Sequence, residues 1–208
     1  MVRPFHPRLA GANLLAAFAA SLLVTARSGP TRAATERNAA LSAAPAATPC
    51  RLTLDGDAVV RWFVPVPHQA IPEPVRRSAE LFLLPEGELV ACGREWDADG
   101  RRGYRMVKRY GDPLRLRSAW VDGSGGVLER SHDISLEQCP KADLEAARAL
   151  EPGEPTRVEF VQGGRDSPGH LRIHLVTAAG HRWVFECHQG RVVAQARILD
   201  ATLEWRSH

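Results

Sequence analysis

The sequence predicts an α+β protein of two tandem units, each a two-layer arrangement of one helix on an antiparallel sheet. Several segments alternate apolar and polar residues with period 2, as half-buried strands do, and turn sequences separate them. Each half of the chain also has a short helical segment that begins at a proline and ends at a proline and a glycine. These patterns recur at an offset of about 65 residues, which indicates an internal repeat.

The first unit begins with a helix predicted over residues 74–81, where Pro74 stands at a position at which a missing N–H costs little. The sequence Leu84-Pro85-Glu86-Gly87 ends this helix. Strands are then predicted at residues 88–96, 103–110, 114–121 and 127–131, with turns at 97–100, 111–113 and 122–126. A strand pair within residues 51–66 precedes the helix.

The second unit repeats this order, with a helix predicted over residues 140–150 that ends at Glu151-Pro152-Gly153. Strands are predicted at residues 156–162, 170–177, 181–187 and 191–199, and a separate last strand at 201–205. Because one helix can cover only one face of a sheet, each unit becomes two layers, with the other sheet face in water.

The strand predicted at residues 170–177 has one apolar face and one polar face. Three apolar residues, Leu171, Ile173 and Leu175, alternate with three polar ones, His170, Arg172 and His174. The two histidines share a face and lie near His181 and His188, but Arg172 would place a cation inside any metal site there. The pattern therefore predicts solvent-exposed histidines and no metal.

Residues 1–34 have the pattern of a secretory signal. A short basic region with Arg3 and Arg8 precedes an uncharged stretch over residues 9–26, and cleavage is expected after Ala26 or after Ala34. An uncleaved membrane anchor is the alternative, and it is the only membrane contact predicted. Residues 35–49 are rich in Ala, Pro, Thr and Ser and predict a flexible linker. The units then span residues 50–133 and 134–208, in the periplasm or outside the cell.

Four cysteines fall in the exported part of the chain, and an even number in an oxidising compartment predicts two disulfides. These residues are Cys50, Cys92, Cys139 and Cys187. Three pairings are open, and chain order favours Cys50–Cys92 with Cys139–Cys187, so that each bond lies within one unit.

The net charge gives no reason to expect nucleic acid as a partner. The chain of 208 residues carries a formal charge of +3. Removal of Arg3 and Arg8 with the signal leaves +1, and removal of Arg27 and Arg32 as well leaves −1. A protein so near neutrality lacks the basic surface that phosphate backbones require.

The turn and strand sequences of both units resemble the PepSY domain. The resembling segments are GRRGYRMV at residues 100–107 with VDGSGGVLER at 121–130, and GHRWVFE at 180–186 with HQGRVV at 188–193. The second unit departs from the family pattern at His188, where Asp is usual, and at the preceding Cys187. The resemblance implies an exported binding or inhibitory module without chemistry of its own, with a peptidase or other hydrolase of the envelope as its partner.

The residues themselves offer no catalytic set. No G-x-S-x-G elbow surrounds any serine, and the acid pairs Asp55/Asp57 and Asp97/Asp99 have the spacing of turn residues. We therefore expect no catalytic residue and no cofactor. Cations are concentrated on two adjacent strands and form a candidate docking surface for an acidic partner, which comprises Arg101, Arg102, Arg105, Arg109, Arg115 and Arg117.

The function predicted from the sequence is an exported, non-catalytic binding or inhibitory module of the cell envelope. Two alternatives stay open. One is a small periplasmic enzyme with its site between the two units, and the other is an envelope protein that binds lipid or polysaccharide.

Overall fold

A computed structural model describes residues 48–111, 113–164 and 168–203 of the chain. The predicted signal peptide and all but the last two residues of the predicted linker lie outside these ranges. Within them, ten antiparallel strands form one closed barrel. Each strand pairs with its neighbours in chain order, and the last strand pairs with the first.

The strands are β1 Thr48–Asp55, β2 Ala58–Pro65, β3 Glu88–Asp97, β4 Arg102–Tyr110, β5 Arg115–Val121, β6 Val127–Ile134, β7 Glu154–Gly163, β8 His170–Val176, β9 Arg182–His188 and β10 Arg191–Leu203. Helix α1, Glu73–Glu80, lies between β2 and β3, and helix α2, Lys141–Leu150, lies between β6 and β7. A short 3-10 turn precedes each helix, at His68–Ala70 and at Leu136–Gln138.

Helix α1 starts at Glu73, one residue before the predicted start at Pro74, and α2 starts at Lys141, one residue after the predicted start at Pro140. Pro72 and Pro140 precede them, and the acids Glu73 and Asp143 lie in their first turns, where a carboxylate favours the helix dipole. These features set the helix starts, but eight and ten residues are too few for stable isolated helices. Their stability therefore depends on what they pack against.

Each helix packs on the outside of the barrel wall. The residues around α1 that form one apolar cluster with β4 and β5 are Ile71, Val75, Ala79, Leu83, Met106, Ala119 and Val121. The corresponding cluster under α2 joins it to β7, β8 and β9 through Cys139, Ala147, Val158, Ile173, Leu175, Phe185 and Cys187. The apolar strand faces thus point outward, and each helix shields part of them from water.

The two-layer α+β prediction is wrong. The elements agree with it to within a few residues, but β6 pairs with β7 across the predicted unit boundary, and β1 joins β2 to β10. The strands therefore close on themselves, and the faces predicted to lie in water enclose the barrel interior. The separate strand predicted at 201–205 is also wrong, because β10 runs without a break from Arg191 to Leu203.

Among the described residues, no helix has the length and apolar character that a membrane crossing needs.

Phe185 tests the outer packing, because its side chain is 0% exposed between the barrel wall and α2. We expect Phe185→Ala to lower the free energy of unfolding by about 3–5 kcal/mol, since the ring leaves a cavity that the wall cannot close. Urea unfolding followed by tryptophan fluorescence measures this. The matched control is Val193→Ala on β10, where the side chain is 63% exposed and the change should stay within about 0.5 kcal/mol. Equal effects of the two substitutions would contradict the packing of α2 on β9.

Candidate functional site

Strand β6 carries the polar residues around which the barrel interior is organised. Its alternation places Glu129, Ser131 and Asp133 on the same face of the strand. Ser131 and Asp133 bond groups on the neighbouring strands β5 and β7, whereas Glu129 bonds side chains from β2, β4 and β8, which are not its neighbours. Such contacts can form only across the inside of a closed barrel.

Glu129 is the carboxylate shared by most partners. The guanidinium of Arg172 on β8 donates two hydrogen bonds to it, at 3.0 and 3.1 Å. Arg105 on β4 donates a third at 2.9 Å, and Arg61 on β2 approaches at 3.3 Å. Three strands that never touch in the sheet therefore meet at one carboxylate.

Arg105 forms the tightest pair of the interior. Its Nε and Nη2 donate to the two oxygens of Glu95 at 2.5 and 2.8 Å, a two-pronged geometry that fixes the guanidinium plane. Its Nη1 donates to the hydroxyl of Ser118 at 2.9 Å. Arg61 also reaches Glu95, at 3.3 Å. Arg61 therefore has the longer bonds of the two arginines.

A second carboxylate, Glu159 on β7, continues the network toward the opposite end of the barrel. The hydroxyl of Ser131 donates to it at 2.6 Å and in turn lies 2.8 Å from that of Ser118. His174 on β8 lies 2.6 Å from the other Glu159 oxygen, and Arg157 lies 3.3 Å from it. Arg157 also bonds Asp133 at 2.6 Å, so the network ends on β6, where it began.

Glu186 on β9 is a third carboxylate of the network. Its Oε1 accepts a hydrogen bond from Arg172 at 2.9 Å, while its Oε2 lies 3.7 Å from Nε2 of His170. The latter distance is an electrostatic contact and too long for a hydrogen bond.

Trp120 lies beside this network with its indole fully buried. Three guanidinium groups approach its ring, those of Arg61 at 5.3 Å, Arg101 at 5.4 Å and Arg105 at 5.8 Å from the centroid. The ring quadrupole attracts cations at such distances. Trp120 thus gives these arginines a surface to pack on inside the barrel.

The electrostatics of the interior keep the acids ionised. Burial alone would raise the pKa of Glu129, but attraction to three guanidinium groups outweighs it and holds the pKa well below its usual range. The pKa of Glu159 is also lowered, because His174 and Arg157 outweigh the effect of burial. The neighbouring His170 lowers the pKa of Glu186 most, burial raises it, and Arg172 lowers it again, so that the pKa is about 2.

A cavity of about 440 Å³ lies between this network and the wall formed by β10, β1, β2 and β3. Small side chains leave the space open on that wall, among them Thr53, Ala91 and Ala196. Phe63 also lines the cavity, and its ring lies over Gly93, where a Cβ would come within 2.5 Å of it. The wall of β10, β1, β2 and β3 therefore provides most of the apolar lining, although Arg61 and Glu95 of the network also lie on it.

The six arginines predicted to form one docking surface are not brought together. Arg105 lies inside the barrel, and Arg101 lines the cavity while it bonds Asp97 at 2.7 Å. Arg109 pairs with Glu88 on the outside at 2.8 Å. Arg115 and Arg117 line a separate surface cleft of about 280 Å³, and Arg102 is exposed.

The cysteines correct a further prediction. All four lie among the described residues, and all four are free thiols, so neither predicted disulfide is present. Cys139 and Cys187 lie in the same apolar cluster under α2, whereas Cys50 and Cys92 lie on β1 and β3, which are not neighbours. Burial, reinforced by Asp143, raises the pKa of Cys187 to about 12, which makes that thiol unreactive at neutral pH.

Of the histidines predicted to be exposed, His170 and His174 are inside the barrel, whereas His181 and His188 are exposed. His170, Arg172 and His174 share one face, as predicted, but that face is the barrel interior, where each is near a carboxylate. No group of three or more His, Cys, Asp or Glu with the geometry to hold a metal ion occurs in the described part of the chain.

Sequence reasoning missed the acids of the site and two of its arginines: Glu95, Glu129, Glu159, Glu186, Arg61 and Arg157. Their signal was present as charged residues at alternate positions within strands, opposite apolar ones. The same pattern is typical of a solvated sheet face, so it predicts exposed side chains.

The chain matches no protein-family model and no curated protein. Two solved structures are similar to part of it. A protein from Bacteroides eggerthii DSM 20697, provisionally described as periplasmic, is 16% identical with a TM-score of 0.45, over 61% of this chain and 88% of its own. A DUF2874 family protein from Bacteroides uniformis ATCC 8492 is 14% identical with a TM-score of 0.44, at the same coverage. Both likenesses are weak.

Glu129 tests the network. We expect Glu129→Gln to lower the free energy of unfolding by about 3–5 kcal/mol, because it leaves buried guanidinium groups without their charge partner. Chemical denaturation measures this. The control is Glu88→Gln, which removes an exposed ion pair with Arg109 and should cost less than about 1 kcal/mol. A loss for Glu129→Gln as small as that of the control would show that the buried pairs do not hold the barrel together.

Stability should also depend on acid pH. The pKa of Glu186 is about 2 in the folded protein and 4.5 ordinarily, so its contribution is complete above pH 4.5 and is lost as pH falls toward 2. The lowered pKa values of Glu129 and Glu159 act in the same direction. Thermal unfolding between pH 7 and pH 2 measures this, with Glu186→Gln expected to flatten the decline. A melting temperature that stays constant down to pH 2 would contradict it.

Proposed function

We propose that the protein is an exported binding protein of the cell envelope that holds a small ligand inside its barrel. The observation that carries this proposal is the cavity of about 440 Å³ beside the buried ion-pair network. Its volume lies within the range of about 300–1,000 Å³ that is usual for small-molecule sites.

The geometry of the cavity supports binding. Narrow barrels are filled by their own side chains, while somewhat wider ones can hold a small ligand. In this barrel the wall at β10 carries Ala194 and Ala196 where larger side chains could have filled the space. The facing polar groups are held by several bonds each, so they are oriented before a ligand arrives.

The same contacts argue for binding over the enzyme alternative. Ser118 lines the cavity, but the groups within hydrogen-bond distance of its hydroxyl are Ser131 and Arg105, and neither is a base. Glu159, further along that chain of hydroxyls, has a lowered pKa and is a weak proton acceptor. A general base near neutral pH is therefore missing beside the serine within the described part of the chain.

The envelope location in this proposal rests on the signal pattern of residues 1–34, which precedes the described residues. The hydrolase partner implied by the PepSY resemblance stays a prediction. The arginines that were to bind an acidic partner are divided between the interior and separate parts of the surface, so they offer such a partner no common face.

A capture experiment tests the proposal. Purified full-chain protein is equilibrated by dialysis against the small-molecule fraction of a cell-envelope extract, and retained compounds are quantified by mass spectrometry. We expect at least one compound to be retained by the native protein and lost in Ala196→Phe, because the added ring enters the cavity. Val184→Phe, from the residue that faces Ala196 on β9, fills the same space and serves as a second variant.

The control substitution is Val193→Phe, which adds similar bulk to the outside of β10. It should leave retention unchanged. Circular dichroism shows whether each variant is folded. If folded cavity-filling variants retain the same compounds as the native protein, the barrel interior is not the binding site and the proposal fails.

A further inference from the structure

We propose, building on the proposed function, that the ligand is a small zwitterion with an apolar body, whose carboxylate is held by Arg61 and whose ammonium group is held by Glu186. The shared chemistry is that of a free amino acid with an apolar side chain or of a short peptide with two charged ends. Three features of the cavity lead to this assignment.

The first feature is charge balance. Six arginines and six carboxylates line the cavity, and Glu129 directly behind them is a seventh carboxylate, which the imidazole of His174 beside Glu159 can match. Groups of both signs are therefore present in equal number. A ligand with a net charge would leave one charge uncompensated in a poorly solvated space, which is costly. A zwitterion preserves the balance and offers a partner to each sign.

The second feature is the loose pairing of Arg61. Its bonds to Glu129 and Glu95 are 3.3–3.4 Å long, and its side chain is 23% exposed toward the cavity. Both of those acids keep shorter bonds to other arginines, Glu95 to Arg105 at 2.5 Å and Glu129 to Arg172 at 3.0 Å. Arg61 can therefore turn to a ligand carboxylate without leaving either acid unpaired.

The third feature is the position of Glu186, which lines the cavity and is 33% exposed. Its Oε1 is engaged by Arg172, but its Oε2 accepts no hydrogen bond from the described residues and lies 3.7 Å from His170. An ammonium group in the cavity can donate to that oxygen. Among the lining acids, Glu95 and Glu159 are instead bonded through both of their oxygens.

The two anchors lie on either side of one arginine. Arg61 and Arg172 share Oε2 of Glu129, and the same nitrogen of Arg172 also bonds Glu186. The opposite charges of the ligand should therefore be a few ångströms apart, as in an amino acid or a short peptide. Phe63, Val107, Val184 and Ile198 also line the cavity and provide the apolar contacts.

Titration calorimetry on the full-chain protein tests this with four probes: L-leucine, the dipeptide Leu-Leu, N-acetyl-leucine and leucine amide. The first two carry both charges, the third only the negative one and the fourth only the positive one. We expect at least one zwitterion to bind at least about tenfold more tightly than either singly charged probe, because each of these leaves one anchor without a partner. The preference between leucine and Leu-Leu distinguishes the free amino acid from the peptide.

Matched variants assign the anchors. Arg61→Gln should weaken binding of the zwitterion about tenfold and reduce the ratio of its affinity to that of leucine amide, which has no carboxylate. Glu186→Gln should also weaken binding of the zwitterion about tenfold and reduce the ratio of its affinity to that of N-acetyl-leucine, which has no ammonium group. Arg109→Gln, on the outside of β4, should change nothing. Circular dichroism confirms folding, and if Arg61→Gln does not fold, Arg61→Lys replaces it, since it keeps the charge but loses the two-pronged geometry.

The outcomes separate this inference from the proposed function. The zwitterion proposal fails if leucine and N-acetyl-leucine bind equally well. It also fails if no probe binds while the capture experiment retains another compound in the cavity. In both cases the proposed binding function still stands. If folded cavity-filling variants retain every compound that the native protein retains, both fail.

Discussion

The need to neutralise Glu129 inside the barrel is the constraint on which the rest of the structure depends. A buried carboxylate without partners is far too costly to keep, so Arg61, Arg105 and Arg172 must point inward with it. They come from β2, β4 and β8, and a slip of one residue in any of these strands would turn the arginine outward. The charge network therefore fixes the register of β2, β4 and β8 relative to β6.

A polar interior moves the hydrophobic stabilisation to the outside. The apolar strand faces are covered by α1 and α2, and these short helices in turn depend on that packing for their stability. The interior ion pairs specify how the strands align, and burial of the outer apolar faces supplies the free energy that stabilises the aligned strands. Neither set of contacts forms the barrel without the other.

The sequence predicted the elements well because helix starts, turns and alternation are local signals. Alternation separates two faces of a strand, as Leu171 and Arg172 show, but it does not say which face a closed sheet encloses. The bonds that decide this join distant positions, for example Arg61 and Glu129, which are 68 residues apart. The pairing of β1 with β10 is still more distant along the chain. Chain order likewise paired Cys50 with Cys92, which the barrel places on strands that do not touch.

The proposed ligand binding accounts for this polar interior better than packing does. Buried ion pairs are often no more stable than apolar residues of the same size, so stability alone gives little reason to keep them. Here they line a space that small side chains on the opposite wall leave open. Arg105 and Arg172 hold the acids by short bonds, and this frees Arg61, the least tightly bonded of the three, to face the cavity. The tightly bonded arginines and acids thus position the less constrained Arg61, and selective recognition of a charged ligand needs such a preorganised arrangement.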